Sequence, residues 1–166
     1  MTNRRAVVSR SFVLRFAAAT AALVLASLVV ARIVFDSRTY DIEYTVPADR
    51  TRLVARYVAA HSHLAEYDRS LIVVRTNGAR DEVELAKDTG GYSRAQLYEA
   101  DDGALYLEGF FDVARIDANS RRISVSSNRV PAGARYLGAF DRLREGGWKF
   151  LAPHESPEQS LAPRGG

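Results

Sequence analysis

Hydrophobic and polar residues alternate where the chain leaves its apolar N-terminal stretch. Tyr40, Ile42, Tyr44 and Val46 occupy every second position, with polar or acidic residues between them. A period of two places these side chains on one face of an extended backbone. The pattern therefore predicts a half-buried β-strand over 39–46.

Short apolar or alternating runs continue to residue 151, and turn residues separate them. Asn77-Gly78 is a strong hairpin signal because both residues tolerate positive φ, and Asp101-Asp102-Gly103 and Glu145-Gly146-Gly147 have the composition of turns. Seven or eight short strands with turns every 8–12 residues predict an antiparallel β sandwich or barrel-like domain. The predicted strands lie within 71–75, 82–86, 93–99, 104–108, 110–116, 123–127, 135–143 and 148–151.

One segment has the spacing of an amphipathic helix. Between Thr51 and Leu64, apolar residues recur at three- and four-residue steps, and Asp49 is placed to cap the first turn. This spacing predicts one short helix over 51–64. The alternative is a strand, because the apolar run from Arg52 to Val58 fits an extended segment as well.

An apolar run without charges extends from Phe16 to Ala31. Continued to residue 35 it comprises twenty residues, which as a helix match a hydrocarbon core about 30 Å thick. The sequence thus predicts a transmembrane helix, a signal anchor, over residues 16–35, with the lipid bilayer as its partner. The alternative is a cleaved signal peptide, for which Val29-Val30-Ala31 is a tolerable cleavage site.

The charges around this run predict its orientation. Residues 1–15 carry four arginines and no acid, whereas Asp36, Asp41 and Glu43 follow the run. The positive-inside rule then places the basic segment 1–15 in the cytoplasm and the β-rich domain, residues 39–152, outside it. The Arg-rich, Lys-poor composition is typical of high-GC bacteria, so we expect a single-pass protein of a bacterial inner membrane with its domain in the periplasm or outside. Residues 153–166 are rich in Pro, Glu, Ser and Gly and predict a disordered tail.

Charge and cysteine content exclude several kinds of function. The chain has a net charge of +3, but residues 1–35 hold five of its 23 basic residues and none of its 20 acidic ones, which leaves 18 − 20 = −2 for the rest. The domain therefore lacks the basic surface of a nucleic-acid-binding protein. The absence of cysteine removes disulfides and thiolate chemistry. The sequence shows no phosphate-binding loop and no dinucleotide fingerprint, so we expect no cofactor.

A three-residue motif, Asp88-Thr89-Gly90, resembles the active-site motif of aspartic proteases of the retroviral type. Asn77-Gly78 ten residues earlier and Tyr136-Leu137-Gly138, an apolar-apolar-Gly element, are similar to neighbouring features of that family. The resemblance covers about 60 residues and implies a dimer that shares one site. One carboxylate in such a pair holds a proton while the other activates water.

The surroundings of the motif depart from that family. Lys87 precedes the aspartate where the family has an apolar residue. Gly91 stands where the family usually has Ala or Ser, and Tyr92 occupies the position of a small hydroxyl residue. Asp-Thr-Gly-Gly is also a good turn sequence. Asp88 is therefore a catalytic candidate only under the protease hypothesis, and the alternative is a structural turn.

A His-x-His pair, His61 and His63, is the candidate for a metal site. On a strand the two imidazoles share a face, but on a helix they lie about 200° apart and cannot chelate one ion. A third ligand, such as Glu66 or His154, has to come from elsewhere in the chain. We therefore expect ordinary polar surface and no metal.

These observations favour a tethered, non-enzymatic binding or scaffolding domain, with another envelope protein as its candidate partner. The alternative is a dimeric, membrane-anchored aspartic protease that uses Asp88. A third hypothesis is a receptor for a small ligand or peptide with an aromatic pocket formed by Tyr98, Tyr106 or Trp148. The eight aromatic side chains of the strands otherwise predict core packing.

Overall fold

A computed structural model describes residues 20, 23–27, 30, 39–60, 66–88, 93–126, 129–143 and 145–161. The chain divides into two compact units, residues 1–38 and 39–166. In the first unit the described residues are helical, with a short helical segment at 23–27. Among the residues that the structure describes, no helix reaches the length and apolarity needed to cross a membrane. The predicted basic segment and most of the predicted span at 16–35 lie outside the described residues.

The second unit is built from antiparallel β-strands, as the alternation predicts. Each predicted β-run from residue 71 onward overlaps a strand, and the first predicted strand is β1. The ten strands are β1 Thr39–Thr45, β2 Arg52–Ala59, β3 Tyr67–Val74, β4 Arg80–Asp88, β5 Ala95–Glu99, β6 Leu105–Glu108, β7 Val113–Ile116, β8 Ile123–Ser126, β9 Arg135–Arg142 and β10 Trp148–Leu151.

The strands form two sheets with simple connections. Strands β1 to β4 form a four-stranded meander, and the second sheet has the order β10-β9-β5-β6-β7-β8. The predicted hairpin at Asn77-Gly78 joins β3 to β4, where Gly78 has a φ of 81° and the Asn77 side chain accepts a hydrogen bond from Ala79 N at 2.9 Å. Short antiparallel connections of this kind keep neighbouring strands adjacent in space.

The two sheets share one hydrophobic core. Leu53 and Leu71 of the first sheet and Leu97, Leu107 and Phe140 of the second are all fully buried in the same cluster. Strand β1 lies beside β10, and β4 lies beside β8, so the sheets approach each other at both edges. The predicted mainly β fold with two antiparallel sheets is confirmed.

Aromatic side chains fill one end of this core. The indole ring of Trp148 stacks on Tyr57 with ring centroids 4.3 Å apart and meets Tyr67 edge-on at 5.2 Å. Phe150, on the same face of β10, packs on Phe140 at 5.0 Å. The predicted core role is thus confirmed for these rings, because each contributes a large apolar area to the shared interior.

The helix predicted over 51–64 is wrong for its described part, which is strand β2. Leu53, Ala55 and Tyr57 alternate into the core, and the backbone pairs with β1 on one side and β3 on the other. The three- and four-residue spacing arose because Val54 is also buried, which hides the period of two. Two sets of inter-strand hydrogen bonds outweigh the weak helical preference of such a segment.

The tail predicted to be disordered departs from that expectation as far as it is described. Residues 153–161 follow β10 through a turn, in which Glu155 N and Ser156 N donate to Ala152 O at 2.9 and 3.0 Å. The chain then runs along the outer face of the six-stranded sheet, where Ser156 is buried. We call residues 156–161 the C-terminal strap.

Candidate ligand-binding cleft

A cleft of about 720 Å³ lies on the outer face of the six-stranded sheet. Strands β5 to β7 form its floor, the connection between β6 and β7 forms one wall, and the C-terminal strap forms another. The lining residues are Tyr98, Glu108, Gly109, Phe110, Phe111, Asp112, Val113, Arg129, Glu158, Gln159, Ser160 and Leu161. A cleft of this size is within the range of sites that take small ligands or single side chains.

The alternation of β5 and β6 directs polar groups to this outer face. Leu97 and Leu107 point into the core, so their neighbours Tyr98 and Glu108 point outward into the cleft. Antiparallel pairing brings Gln96 opposite Glu108 on adjacent strands. The floor therefore presents an aromatic ring and a carboxylate side by side.

Two glutamates meet at the hydroxyl of Tyr98. Its Oη lies 3.3 Å from Glu108 Oε2 and 3.1 Å from Glu158 Oε1, and it accepts a hydrogen bond from Gln96 Nε2 at 2.9 Å. A tyrosine hydroxyl has one proton, so it can donate to only one of the two carboxylates at a time. Burial, followed by the two nearby glutamates, raises the pKa of Tyr98 far above its ordinary value, and the hydroxyl stays protonated.

Within the described part of the chain, no ion pair neutralises the negative charge in this part of the cleft. None of the ion pairs among the described residues involves Glu108 or Glu158. Arg129 is the basic residue of the lining, and its side chain is exposed. Two carboxylates that converge on one donor repel each other, and a cation between them lowers that repulsion.

The wall opposite the strap carries two adjacent phenylalanines. The rings of Phe110 and Phe111 pack edge to face with centroids 4.7 Å apart, and half of Phe111 is exposed. Large apolar side chains exposed next to a cleft are typical of contact sites for ligands or partners. The faces of such rings also attract cations.

A buried ion pair holds this wall in place. Asp112, the last residue before β7, lies with Oδ1 3.5 Å from Arg69 Nη2 of β3, and its other oxygen accepts a hydrogen bond from Ala86 N of β4. The turn closes through Gly109 N, which donates to Asp112 O at 2.8 Å. A Cβ atom at Gly109 would lie within 3 Å of both members of the ion pair, so a larger residue there would displace the pair. The connection that presents the two phenylalanines is thus fastened to the opposite sheet.

Asp88, the catalytic candidate of the protease hypothesis, lies at the end of β4, opposite Tyr67, and its side chain is completely buried. It does not line the cleft. Thr89 and Gly90, the rest of the motif, lie outside the described residues, as do Gly91 and Tyr92. The protease hypothesis therefore stays a prediction. Gly138 of the apolar-apolar-Gly element lies within β9.

The metal candidates are only partly described. His61 and His63 lie outside the described residues, Glu66 directly precedes β3, and His154 is exposed in the turn after β10. In the described ranges no three Asp, Glu or His side chains come together in a way that would hold a metal ion.

The three aromatic residues of the receptor hypothesis have different places. Tyr98 lines the cleft, Trp148 packs in the core, and Tyr106 accepts a hydrogen bond from Arg115 Nε at 3.3 Å on the outer face.

The sequence predicts core packing for Phe110 and Phe111, and nothing in it indicates that Glu108 and Glu158 belong to a site. The adjacent pair Phe110-Phe111 was the available signal for an exposed aromatic ring. Adjacent residues of the strand predicted over 110–116 would point to opposite faces and could not both be buried in one core.

No protein-family model, curated protein or solved structure shows a significant match to this chain. The chemistry of the cleft therefore follows from its geometry alone.

Proposed function

We propose that the chain is a membrane-anchored, extracytoplasmic binding module of a bacterial inner membrane, and that its cleft holds a cationic side chain of an envelope protein. The observation that carries the proposal is the cleft itself. It combines two carboxylates, Glu108 and Glu158, at one tyrosine hydroxyl with a phenylalanine pair of which Phe111 is exposed. No catalytic chemistry is assigned to it.

The anchor is supported by the N-terminal sequence. The run from Phe16 to Ala31 carries no charge, and arginines precede it. In the described helical residues, the side chains of Leu23, Val24, Leu25 and Val30 are all more than half exposed. A helical segment that exposes several large aliphatic side chains needs an apolar partner, and the bilayer is the partner we propose.

The ligand class follows from the lining. A lysine or arginine side chain has an aliphatic stem that packs on aromatic rings and a charged end that pairs with carboxylates. Phe110 and Phe111 can receive the stem, while Glu108 and Glu158 can receive the charge. An anionic or wholly apolar ligand would leave both carboxylates without a counter-charge.

Titration of the full-length protein in detergent micelles with short lysine- and arginine-containing peptides tests this proposal. Calorimetry should show saturable binding that weakens with added salt, because the attraction is between charges. Glu108→Gln, Glu158→Gln and Phe111→Ala should each weaken binding about tenfold, equivalent to about 1.4 kcal/mol.

Glu145→Gln is the matched control. Glu145 is an exposed residue of the β9–β10 turn outside the cleft, so its substitution changes the net charge equally without touching the site. If Glu145→Gln weakens binding as much as Glu108→Gln does, or if the peptides do not bind, the cleft is not the cationic site.

A further inference from the structure

The outer face of β5 binds the C-terminal strap through the backbone of the strap. The side-chain amide of Gln96 makes two hydrogen bonds with one residue: Gln159 N donates to its Oε1, and its Nε2 donates to Gln159 O, each at 2.8 Å. The amide thus imitates the pairing of a neighbouring β-strand. Gln96 is itself fully buried under the strap.

Arg94, two residues before Gln96 on the same face, binds the start of the strap at Ser156 and Pro157. Its Nη2 donates to Pro157 O at 2.8 Å, and its Nη1 donates to the Ser156 hydroxyl. Asp141 of β9 fixes the guanidinium through an ion pair of 2.9 Å, and only 8% of Arg94 is exposed. A planar, charged group that is locked by a second side chain is a preorganised donor.

A β-bulge completes the groove. Leu97 pairs with Gly138 and Tyr98 with Tyr136, so Leu137 is an extra residue on β9. Without this bulge the alternation that buries Phe140 would turn Tyr136 toward the core. Instead its hydroxyl lies on the outer face and donates to Ser156 O at 2.9 Å. We call Arg94, Gln96, Tyr98 and Tyr136 the strap groove.

The strap is attached mainly by polar contacts. Ser156 is its buried residue, and residues 157–160 are exposed. Segments that bury little apolar surface open locally at a small fraction of the global unfolding free energy. The groove, in contrast, lies on β5 and β9, whose backbones pair with each other and not with the strap.

We propose that the strap groove is an interaction surface for the C-terminal strap of a second copy of this chain, and that copies exchange straps. The groove forms hydrogen bonds with the backbone of an extended segment, with the serine at its start and with the carboxylate of Glu158. A strap supplied by another copy offers the same groups in the same order. An anchor that confines copies to one membrane raises their effective concentration and favours such an exchange.

The exchange is independent of the proposed cationic ligand, but it affects the same cleft. Glu158 belongs to the strap and also lines the cleft, so an exchanged strap supplies this carboxylate to the cleft of the other copy. The strap carries one acidic residue, Glu158, and no basic residue, whereas the proposed ligand is cationic. Failure of one proposal is therefore distinguishable from failure of the other.

Site-specific photo-crosslinking in membranes tests the exchange. A benzophenone amino acid at Ser160, an exposed strap residue, is introduced into full-length chains that carry one epitope tag and are co-expressed with unlabelled chains that carry another. We expect an adduct that contains both tags and maps to β5, to β6 or to the connection between β6 and β7, because Ser160 lines the cleft beside these elements. Adducts found exclusively within one chain would overturn the exchange.

Competition with peptides keeps the test independent of variant folding. A peptide of residues 153–161 should suppress the two-tag adduct. The same peptide with Gln159→Pro lacks the N–H that donates to Gln96 Oε1, so we expect it to compete about tenfold less well. Equal competition by both peptides, or by neither, would show that the adduct does not form in the strap groove.

Discussion

Arg69 and Asp112 form a buried ion pair that joins the two sheets. The Nη2–Oδ1 distance is 3.5 Å, and the two side chains are only 1% and 7% exposed. Arg69 belongs to β3 of the four-stranded sheet, whereas Asp112 ends the connection that carries Phe110 and Phe111. The geometry of the cleft wall therefore depends on a pair of charges on its inner side.

Removal of one partner should be costly, because it leaves the other charge buried without compensation. We expect Asp112→Ala to lower the free energy of unfolding by about 3 to 5 kcal/mol. The double variant Arg69→Met, Asp112→Leu replaces both charges with apolar groups, so it should lose less stability than Asp112→Ala alone. Urea denaturation of the full-length protein in detergent measures both.

Glu43→Ala is the control for that comparison. The Arg52–Glu43 pair has a similar separation of 3.2 Å, but both side chains are about half exposed. Surface pairs of this kind contribute less than about 1 kcal/mol. A loss for Asp112→Ala as small as that for Glu43→Ala would contradict the structural role of the buried pair.

Gly138 of β9 should tolerate no side chain. Its φ is 139°, and an added Cβ would meet Leu151 O and the ring of Phe150. We expect Gly138→Ala to destabilise the domain by at least about 3 kcal/mol, because backbone strain and overlap with the β10 backbone act together. Thermal unfolding followed by circular dichroism measures the effect.

Gly146 provides the matched comparison for Gly138. It also has a positive φ, 88°, but no atom lies within 4 Å of the position of an added Cβ. Gly146→Ala should therefore cost only the left-handed strain of about 1 to 2 kcal/mol. Equal losses at the two glycines would mean that the close approach of β10 to Gly138 is unimportant.

Most of the strands could be predicted from the sequence, because the alternation within a strand and the turn at its end are local signals. Asn77-Gly78 and Glu145-Gly146-Gly147 predicted their hairpins because the backbone conformation of a tight turn depends on its own residues. Strand β2 was mistaken for a helix because Val54 is buried on the opposite face from Leu53 and Tyr57. Which faces are covered is decided by tertiary packing, and that information is not local.

The cleft and the strap groove were not predictable for the same reason. Gln96, Tyr136 and Gln159 are distant in sequence, and their contacts exist only after β5 and β9 pair and the chain returns. The polar composition of 153–161 indicated disorder, since it offers little apolar surface to bury. The segment is held instead by hydrogen bonds to side chains of the sheet, which composition does not reveal.

Asp88 distinguishes the protease hypothesis from the binding proposal. Because its side chain is fully buried at the end of β4, we expect Asp88→Asn to change the free energy of unfolding. We expect no peptidase activity that depends on Asp88. The purified full-length protein should show no pepstatin-sensitive cleavage of peptide libraries between pH 3 and 7. Cleavage that pepstatin blocks and Asp88→Asn abolishes would establish the protease instead.

Alkaline pH should destabilise the domain through Tyr57. Burial raises the pKa of this tyrosine to about 12, against the opposing positive charge of Arg69, whereas an unfolded tyrosine titrates at about 10. The neutral hydroxyl is therefore favoured in the folded state. Its contribution is fully present below pH 10 and is lost as the pH rises from 10 to 12, because the unfolded state ionises first. The loss from Tyr57 is about 2 to 3 kcal/mol.

Tyr57→Phe removes the ionisable group and keeps the ring stacked on Trp148, so urea denaturation at pH 9, 10.5 and 12 should show a shallower decline for the variant than for the wild type. Burial also raises the pKa of Tyr98, so part of the decline should persist in the variant. Identical declines for the two proteins would show that Tyr57 does not ionise on unfolding in this range.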